Sequence, residues 1–361
     1  MTLLAHMILN LLKNYDETKM NALLTSVGRR AYMVKYFQEA LAGTGEVHVC
    51  NSDDLTVAFQ YADKSVISPL IYDDNYIPFL LNYCKENSID ILLSLFDIDL
   101  LMLAKHKKEF EEIGTKVIVS DEEFVSICND KWKTYLFLKE NGFNVPRTYL
   151  SIGEAMGAID AGILKYPIIV KPRFGCGSIA MSVAEDEMSL LYYFSRNTRA
   201  VKRTYLKYES ETVDDKIIFQ EFLHGQEYGV DCINDLNGNF VSAFVKRKLA
   251  MRAGETDIAE TVDCPEIYET AKKISGLSKH IANVDMDVFL VDGKPYVLEM
   301  NARFGGGYPF SHVAGCNLPK AIVEWCKGRE PDTDNLTVQT GVRTYKELVL
   351  TKTEVKNICK S

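Results

Sequence analysis

Short apolar runs alternate with helix-like patterns over the first part of the chain, from Met20 to about Ser120. The apolar runs predict buried strands, and the stretches between them, with apolar residues at every third or fourth position, predict helices. The predicted strands are residues 22–26, 47–51, 65–67, 91–96 and 116–119, and the predicted helices are residues 30–42, 76–87 and 100–113. Because strands that alternate with helices form right-handed βαβ units, this region is expected to be an α/β domain on a parallel sheet.

After Pro167 the pattern changes to strands that follow one another along the chain. Strands are predicted at residues 145–150, 168–171, 179–184, 217–222, 227–234 and 239–251, a hairpin at 284–301, and helices at 121–141, 153–164, 187–198, 267–280 and 319–327. Strands and helices that do not alternate are typical of an α+β domain. The expected division is an N-terminal extension at residues 1–19, an α/β domain at 20–122, an α+β domain at 123–330 and a tail at 331–361.

The charge balance argues against a nucleic-acid-binding protein. Lys and Arg number 41 and Asp and Glu number 50, which gives a net charge of −9. A sequence-independent nucleic-acid binder needs a basic surface, although a negative net charge leaves room for a local basic pocket. The nine cysteines are scattered without a CxxC pair, so we expect reduced thiols in a cytoplasmic protein rather than a zinc site. The apolar stretch at residues 3–12 is too short for a membrane span, which needs about 20 residues.

A glycine turn follows the first predicted strand, in the sequence TSVGRRAYMV. It places Arg29 beside Gly28 and the start of a helix, and such helix starts bind anions through their backbone N–H groups. The turn lacks the GxGxxG pattern, which argues against a dinucleotide site. A tight turn with two solvated arginines, Arg29 and Arg30, explains the same residues equally well.

A glycine-rich loop follows a second buried strand, in the sequence PIIVKPRFGCGSIAM. Lys171 ends the strand, and Gly175, Gly177 and Ser178 form a loop whose backbone N–H groups can close around phosphate oxygens. The segment is not a P-loop, because GxxxxGK[ST] is absent. A glycine hairpin beside a lysine whose stem lies along apolar surface is the alternative interpretation.

The segment IIFQEFLHGQEYGVDC supplies an extended hinge between two predicted strands. An adenine needs one backbone donor, one backbone acceptor and apolar walls, which an extended hinge at residues 220–223 supplies. Glu227 is a carboxylate placed for the hydroxyls of a ribose. A β-turn with surface acids between two antiparallel strands is the alternative.

The hairpin VDMDVFLVDGKPYVLEMNARFGGGYP holds a set of oxygen ligands. Glu299 and Asn301 are two residues apart, so both face one side of a strand, and with Asp287 they form a set suited to Mg²⁺. Arg303 follows, where its charge can offset that of a phosphoryl group. A three-residue loop at 292–294, or a compensating bulge, places Asp287 opposite Glu299. A strict two-residue turn alone puts the two carboxylates on opposite faces.

Five segments, taken in order, resemble the motifs of the ATP-grasp superfamily: NDKWKTYLFLKENGFNVP, IIVKPRFGCGS, FQEFLHGQEYGVD, DMDVFL and VLEMNARFGGG. Over about residues 20–330 they are most similar to the ATP-binding halves of the carbamoyl-phosphate synthase large chain. The resemblance implies a Rossmann-like pre-ATP-grasp domain at residues 20–122 and an ATP-grasp fold at 123–330 with a mobile lid at about 168–222. The residues carry one set of these motifs, so we expect a single ATP-grasp unit without the amidotransferase of that enzyme.

The resemblance also implies roles for residues around ATP. They are Lys131 and Lys171 at the phosphates, Gly175, Gly177 and Ser178 in the mobile loop, Glu221 and Leu223 at adenine, Glu227 at ribose, Asp287, Glu299 and Asn301 at Mg²⁺ (with Mn²⁺ as the alternative ion), and Arg303 at the transferred phosphate. Lys246 and Arg247, in VKRKLAMRAGE, resemble the strand along the acceptor site.

The expected function is an ATP-dependent ligase that activates a carboxylate as an acyl phosphate for attack by an amine. We expect Arg303, Lys171 and Lys246 to be catalytic, and Arg29, Arg247 and Arg252 to contact the substrate. The expected partners are a small carboxylate, a small amine and a second copy in a homodimer, with no nucleic acid and no membrane. An acid kinase that releases the acyl phosphate, or a non-catalytic ATP-sensing module, are the alternatives.

Overall fold

The computed structural model describes residues 19–177, 179–352 and 359–360, the last two by their backbone. The expected extension, except Lys19, and the predicted loop residue Ser178 therefore lie outside the described residues. Within the described part the strands form three sheets, one parallel and two antiparallel. No helix there is both long and apolar enough to cross a membrane.

The N-terminal region forms a parallel sheet, as the alternating pattern predicts. Its strands are β1 (Asn21–Thr25), β2 (Val47–Asn51), β3 (Lys64–Ile67), β4 (Ile89–Ser94) and β5 (Lys116–Val117), and its helices are α1 (Ala31–Leu41), α2 (Tyr76–Glu86), α3 (Asp97–Lys105) and α4 (Lys107–Glu112). All five residues of β1 are buried, as expected of a strand covered on both faces. The predicted helix at 100–113 begins three residues earlier, at Asp97, and is interrupted at His106.

Two helices replace the one predicted at residues 121–141. They are α5 (Glu122–Asn129) and α6 (Lys131–Glu140), separated by Asp130 in an extended conformation. The Asp130 carboxylate accepts the Trp132 N–H at 3.0 Å and so caps α6, while its backbone forms a β-bridge with Phe174. Aspartate is a preferred N-cap residue, and this cap together with the bridge explains the break.

A small antiparallel sheet follows, which we call the small-sheet unit (residues 148–221). It comprises β6 (Thr148–Tyr149), α7 (Ile152–Asp160), β7 (Ile168–Pro172), β8 (Ser182–Ala184), α8 (Glu187–Arg203), α9 (Leu206–Glu209) and β9 (Ile217–Glu221), in the strand order β6-β9-β7-β8. Its buried residues, among them Val170, Leu190 and Phe219, form a core cluster of their own. The unit starts earlier in the chain than the lid expected at 168–222, because β6 pairs with β9.

A larger antiparallel sheet completes the fold. Its elements are β10 (Gln226–Asn234), β11 (Phe240–Arg252), β12 (Glu255–Thr261), α10 (Pro265–Ser278), β13 (Asn283–Val291), β14 (Lys294–Asn301), α11 (Tyr308–Val313), α12 (Leu318–Cys326) and β15 (Arg343–Tyr345). The strand order is β14-β13-β10-β11-β12-β15. This central sheet shares a core with the parallel domain, in which Leu92 and Val119 belong to the same cluster as Val230 and Met286.

The residues expected to form only a tail pair with both large sheets. β15 pairs with β12 of the central sheet, and β16 (Cys359–Lys360) pairs with β3 at the edge of the parallel sheet. These strands span three and two residues, too few for a periodic pattern to predict. Within residues 331–361, the described strands therefore pair with both the central sheet and the parallel sheet.

The β13–β14 hairpin has the register that a metal site on one face requires. Its turn is the two-residue Asp292-Gly293 turn, in which both residues have positive φ, 47° and 73°. A bulge then inserts Leu298, so that Asp287 lies opposite Glu299 and Asp285 lies opposite Asn301. The three-residue loop at 292–294 was the wrong alternative, and the compensating bulge is the correct one.

Candidate functional site

A cavity of about 840 Å³ lies between the small-sheet unit and the central sheet. It brings together most of the residues predicted from the motifs: Lys131, Lys171, Gly175, Gly177, Glu221, Leu223, Glu227, Lys246, Asp287, Glu299, Asn301 and Arg303. Its volume is in the range of small-molecule sites, and its wall combines apolar side chains with a few polar groups. Of the described residues predicted to bind substrate, Arg29, Arg247 and Arg252 are absent from this lining, whereas Arg30 is part of it.

Lys171 ends β7 and is buried at the cavity wall. Burial lowers the pKa of its amine to about 8, an effect that the nearby Glu299 carboxylate opposes and the Lys131 charge reinforces. Within the described part of the chain, no ion pair or hydrogen bond holds this amine. A desolvated cation without a wall partner is suited to a phosphate oxygen.

The glycine-rich loop is fastened to the start of α6. Lys131 donates a hydrogen bond from its ammonium to the Gly175 carbonyl, and its backbone N–H donates to the Arg173 carbonyl at 3.1 Å. The Arg173 guanidinium binds both oxygens of the buried Asp130, at 2.7 and 2.6 Å. The Asp130–Arg173 ion pair and the hydrogen bonds of Lys131 to the loop backbone thus set the position of the loop over the cavity.

The hinge between β9 and β10 presents backbone groups to the cavity. The Glu221 N–H donates to the Arg147 carbonyl at 2.8 Å, and the Glu221 carboxylate accepts from the Arg147 guanidinium at 3.1 Å. Among the described residues no hydrogen bond engages the Leu223 N–H. Arg147 therefore engages both the side chain and the backbone N–H of Glu221, whereas the Leu223 N–H is available to a ligand.

Lys248 lies between the ribose candidate and the metal candidate. Its ammonium donates to Glu227 at 2.6 Å and to Asp287 at 2.5 Å. Burial alone would lower the pKa of Lys248, but the charges of Asp287 and Glu227 outweigh it and raise that pKa. Lys248 was not among the predicted site residues. The strand period of two nevertheless places it on the same face as Lys246, with the intervening Arg247 on the opposite face.

The acidic face of the hairpin has the donor chemistry of a Mg²⁺ site. Asp287, Glu299 and Asn301 offer two carboxylates and an amide oxygen on one face of β13 and β14. Over the described residues, no three His, Cys, Asp or Glu side chains are grouped to hold a metal ion by themselves. Mg²⁺ usually takes one or two carboxylates and completes its shell with water and phosphate oxygens, so these residues fit it. Asp287 would exchange its bond to Lys248 for the ion.

Arg303 is held by one carboxylate from the parallel domain and one from the central sheet. Its guanidinium donates to Asp97, at the start of α3, at 2.8 Å, and to Asp285 of β13 at 3.4 Å. Burial would raise the pKa of Asp97, but the charge and hydrogen bond of Arg303, together with the charge of Arg30, outweigh it and lower that pKa. Burial and the adjacent Asp287 raise the pKa of Asp285, whereas the Arg303 charge lowers it. Gly305 makes room for this group, because a Cβ there would lie 2.1 Å from the Asp285 carboxyl carbon.

Lys246 lines the cavity but is neutralised within its wall. Its ammonium donates to the Asp231 carboxylate and, at 3.1 Å, to the Ser311 hydroxyl, and Lys246 and Asp231 are both buried. Asp231 also accepts from Ser311 at 2.6 Å. This lysine therefore has a structural partner, unlike Lys171, and a catalytic role would require it to leave that partner.

The three arginines predicted to contact substrate are bound elsewhere. Arg247 faces away from the cavity and lies 3.4 Å from Glu260, because it alternates with Lys246 and Lys248 along β11. Arg252 pairs with Asp257 across the β11–β12 hairpin. Arg29 has a side chain 87% exposed and lies 3.8 Å from Glu255. Its neighbour Arg30 turns into the cavity instead, which the sequence RR does not distinguish.

Two family models match the chain in succession. One described as "PylC-like, N-terminal domain" matches residues 22–118, and one described as an ATP-grasp domain matches residues 128–307. The chain is similar to the carbamoyl phosphate synthase large chain of Pseudothermotoga lettingae, with 26% identity over 305 residues that cover 79% of this chain. Those residues cover 25% of that protein, so the chain spans about a quarter of the length of the curated relatives it matches.

Solved structures show the same fold at low identity. The L-amino acid ligase from Bacillus licheniformis superposes with a TM-score of 0.69 at 18% identity and covers 92% of this chain and 82% of that one. The biotin carboxylase domain of 2-oxoglutarate carboxylase from Hydrogenobacter thermophilus, determined with MgADP and bicarbonate, gives a TM-score of 0.69 at 14% identity, covering 90% and 73%. At these identities the likeness establishes the fold alone.

Proposed function

The chain belongs to the ATP-grasp superfamily, and from this premise we propose that it is an ATP- and Mg²⁺-dependent ligase that activates a carboxylate as an acyl phosphate for attack by an amine. The family matches confirm the predicted fold class, a Rossmann-like α/β domain followed by an ATP-grasp fold. Because the chain spans only a quarter of its curated relatives, their substrates are not transferred to it.

One observation carries the proposal: three kinds of group converge on a single cavity. Lys171, a buried lysine without a hydrogen-bond or ion-pair partner among the described residues, lies with the acidic face of the β13–β14 hairpin and with the buried guanidinium of Arg303. Phosphoryl transfer demands little covalent chemistry from a protein; it needs aligned anions, charge neutralisation and exclusion of water. These groups supply a cation for phosphate, oxygens for Mg²⁺ and a second cation near the transferred group.

We assign the nucleotide to the side of the cavity under the small-sheet unit. The backbone of Glu221 and Leu223 would hold adenine, Glu227 the ribose, and Lys131 and Lys171 the phosphates. Mg²⁺, held by Asp287, Glu299 and Asn301, would neutralise charge on the phosphates that the lysines leave uncompensated. The small-sheet unit would act as the lid, closing over bound nucleotide.

The proposed reaction has two steps. A carboxylate oxygen of the substrate attacks the γ-phosphorus of ATP, the bond from that phosphorus to the bridging oxygen breaks, and ADP is the leaving group. The amine nitrogen then attacks the acyl carbon, a C–N bond forms, inorganic phosphate leaves and the nitrogen releases a proton to solvent. Arg303 lies where its guanidinium would stabilise the charge of the transferred group, and the closed lid would keep water from the acyl phosphate.

The test is ADP release measured across a panel of carboxylates, each with and without a mixture of amines. A ligase requires both an acid and an amine for full turnover, whereas an acid kinase is stimulated by the acid alone. ATP binding without stimulation by any pair would contradict the proposal and favour the nucleotide sensor. Lys171→Ala should weaken ATP binding about tenfold or more, since a charge-assisted hydrogen bond contributes about 1.5–3 kcal/mol. Lys139→Ala, at an exposed position on α6, is the matched control.

A further inference from the structure

We propose that the substrate acid carries a second anionic group, a carboxylate or a phosphate, which Arg30 binds at the start of α1. This inference rests on the proposed function and narrows its substrate class. The acid would bind on the side of the cavity that the parallel domain forms, because Arg30 projects from that side.

The lysines and arginines that line the cavity either form ion pairs with carboxylates of the described residues or do not. Arg303, Lys246 and Lys248 each form an ion pair with a carboxylate of the wall. Lys131 and Lys171 are not ion-paired within the described chain and belong to the proposed phosphate site. The remaining cation is Arg30: no ion pair or side-chain hydrogen bond joins it to another described residue, although it faces the cavity.

Arg30 and Arg303 line the same cavity of about 840 Å³, so one small molecule can contact both. Asp97 accepts a hydrogen bond from Arg303 at 2.8 Å. Burial raises the pKa of Asp97, and the charges of Arg303 and Arg30 both lower it. The Tyr32 hydroxyl responds to the same two guanidiniums: burial raises its pKa, and both lower it. One guanidinium of this pair is neutralised by the wall and the other is not.

The neighbouring charges leave this side of the cavity positive. Glu255 is the carboxylate of this part of the lining, and it already binds Lys346 at 3.3 Å and Arg29 at 3.8 Å. With Arg30 beside them, three cations share one carboxylate. An ammonium group of a substrate would meet repulsion here, whereas a carboxylate or phosphate would reduce the repulsion among the three cations.

The backbone fixes Arg30 in this position. Its N–H donates to the Val27 carbonyl at 3.0 Å, and its carbonyl accepts from the Met33 N–H at 2.9 Å in the first turn of α1. α1 packs through Met33, Val34 and Phe37 on the core of the parallel domain. The guanidinium therefore projects from a rigid element, which favours selection of a substrate by length.

The experiment measures binding rather than turnover, so that it is independent of the proposed reaction. The full chain with a non-hydrolysable ATP analogue and Mg²⁺ is titrated with pairs of acids matched in length. The pairs are butyrate with succinate and valerate with glutarate, and 3-phosphonopropionate provides the phosphorus-based anion. We expect a second anion to tighten binding tenfold or more; the carboxylate and phosphonate arms identify which anion is preferred.

Two variants decide the role of Arg30. Arg30→Ala should remove the advantage of the second anion and leave the affinity for the ATP analogue within twofold, while Arg30→Lys should keep part of it. Arg329→Ala, which changes an exposed ion pair with Glu324 on α12, is the control. Equal affinity for mono- and dianionic acids would overturn the inference, as would weaker binding of the ATP analogue by Arg30→Ala without an effect on the acids. If no acid stimulates ADP release but the dianions still bind through Arg30, the proposed reaction fails and only the assignment of an anion site to Arg30 stands.

Discussion

Replacing Asp97 by asparagine tests whether the parallel domain holds Arg303 in position. Asp97 and Arg303 are 206 residues apart in the sequence, and their side chains are 6–9% exposed. The substitution keeps the shape of the side chain but removes the charge that faces the guanidinium. Arg303 would then keep only Asp285, at 3.4 Å, as a charged partner.

The expected loss of stability follows from burial. Breaking a buried ion pair by removing one partner costs about 3–5 kcal/mol, because the other charge is left uncompensated. Since Asp285 remains, the lower end of that range, about 3 kcal/mol, is expected for Asp97→Asn. The matched control is Glu324→Gln, which breaks a pair at 2.7 Å to an Arg329 side chain that is 47% exposed. Exposed pairs contribute about 0–1 kcal/mol.

Urea unfolding followed by far-UV circular dichroism gives the difference in unfolding free energy between each variant and the unmodified chain. ADP release supplies the second readout, in which Asp97→Asn should lower kcat while the KM for ATP changes little, because Arg303 serves the transferred group rather than the nucleotide. If Asp97→Asn unfolds at the same urea concentration as Glu324→Gln and retains kcat, Asp97 does not position Arg303.

Three further predictions concern the cavity. Gly305→Ala should abolish turnover, because the new Cβ would lie 2.1 Å from the Asp285 carboxyl carbon; wild-type kcat would contradict this close contact. Burial lowers the pKa of Lys171 to about 8, so ATP affinity measured by calorimetry should fall as pH rises through that value and the amine loses its charge. Lys171→Arg keeps its charge over this pH range, so its ATP affinity should decrease less as the pH rises. If the ATP affinity of Lys171→Arg depends on pH as that of the unmodified chain does, another group titrates. Amide hydrogen exchange in the small-sheet unit should be faster without nucleotide than with ATP and Mg²⁺. Tyr72→Ala, which removes the stacking of Tyr72 on Tyr208 at 4.4 Å, should widen that difference in exchange rate. Equal exchange rates with and without nucleotide would refute a closing lid.

The elements that the sequence predicts well are those whose pattern is local. β1 and β2 are apolar strands in a parallel sheet, as their local pattern predicts. The sequence predicted that Asp287 and Glu299 share one face of the β13–β14 hairpin only if the loop had three residues or a bulge was present. The bulge at Leu298 arises from the pairing of the two strands, so neither strand alone indicates it.

The parts that escaped prediction depend on tertiary contacts. Asp97 meets Arg303 from another domain, and no spacing in the sequence indicates that pair. Arg29 and Arg30 are the same residue type side by side, and only the backbone of the turn decides which one enters the cavity. Lys248 is the exception, since the alternation of β11 would have placed it beside Lys246.

The fate of the carboxylate oxygen tests the central claim most directly. The acid that best stimulates ADP release is labelled with ¹⁸O in its carboxylate and incubated with ATP, Mg²⁺ and amine, and the released phosphate is analysed by mass spectrometry. An acyl phosphate intermediate transfers one carboxylate oxygen to phosphorus. Each ADP formed should therefore be accompanied by one phosphate that carries a single ¹⁸O atom. Phosphate free of label, formed at the same rate as ADP, would contradict activation of the carboxylate by phosphorylation.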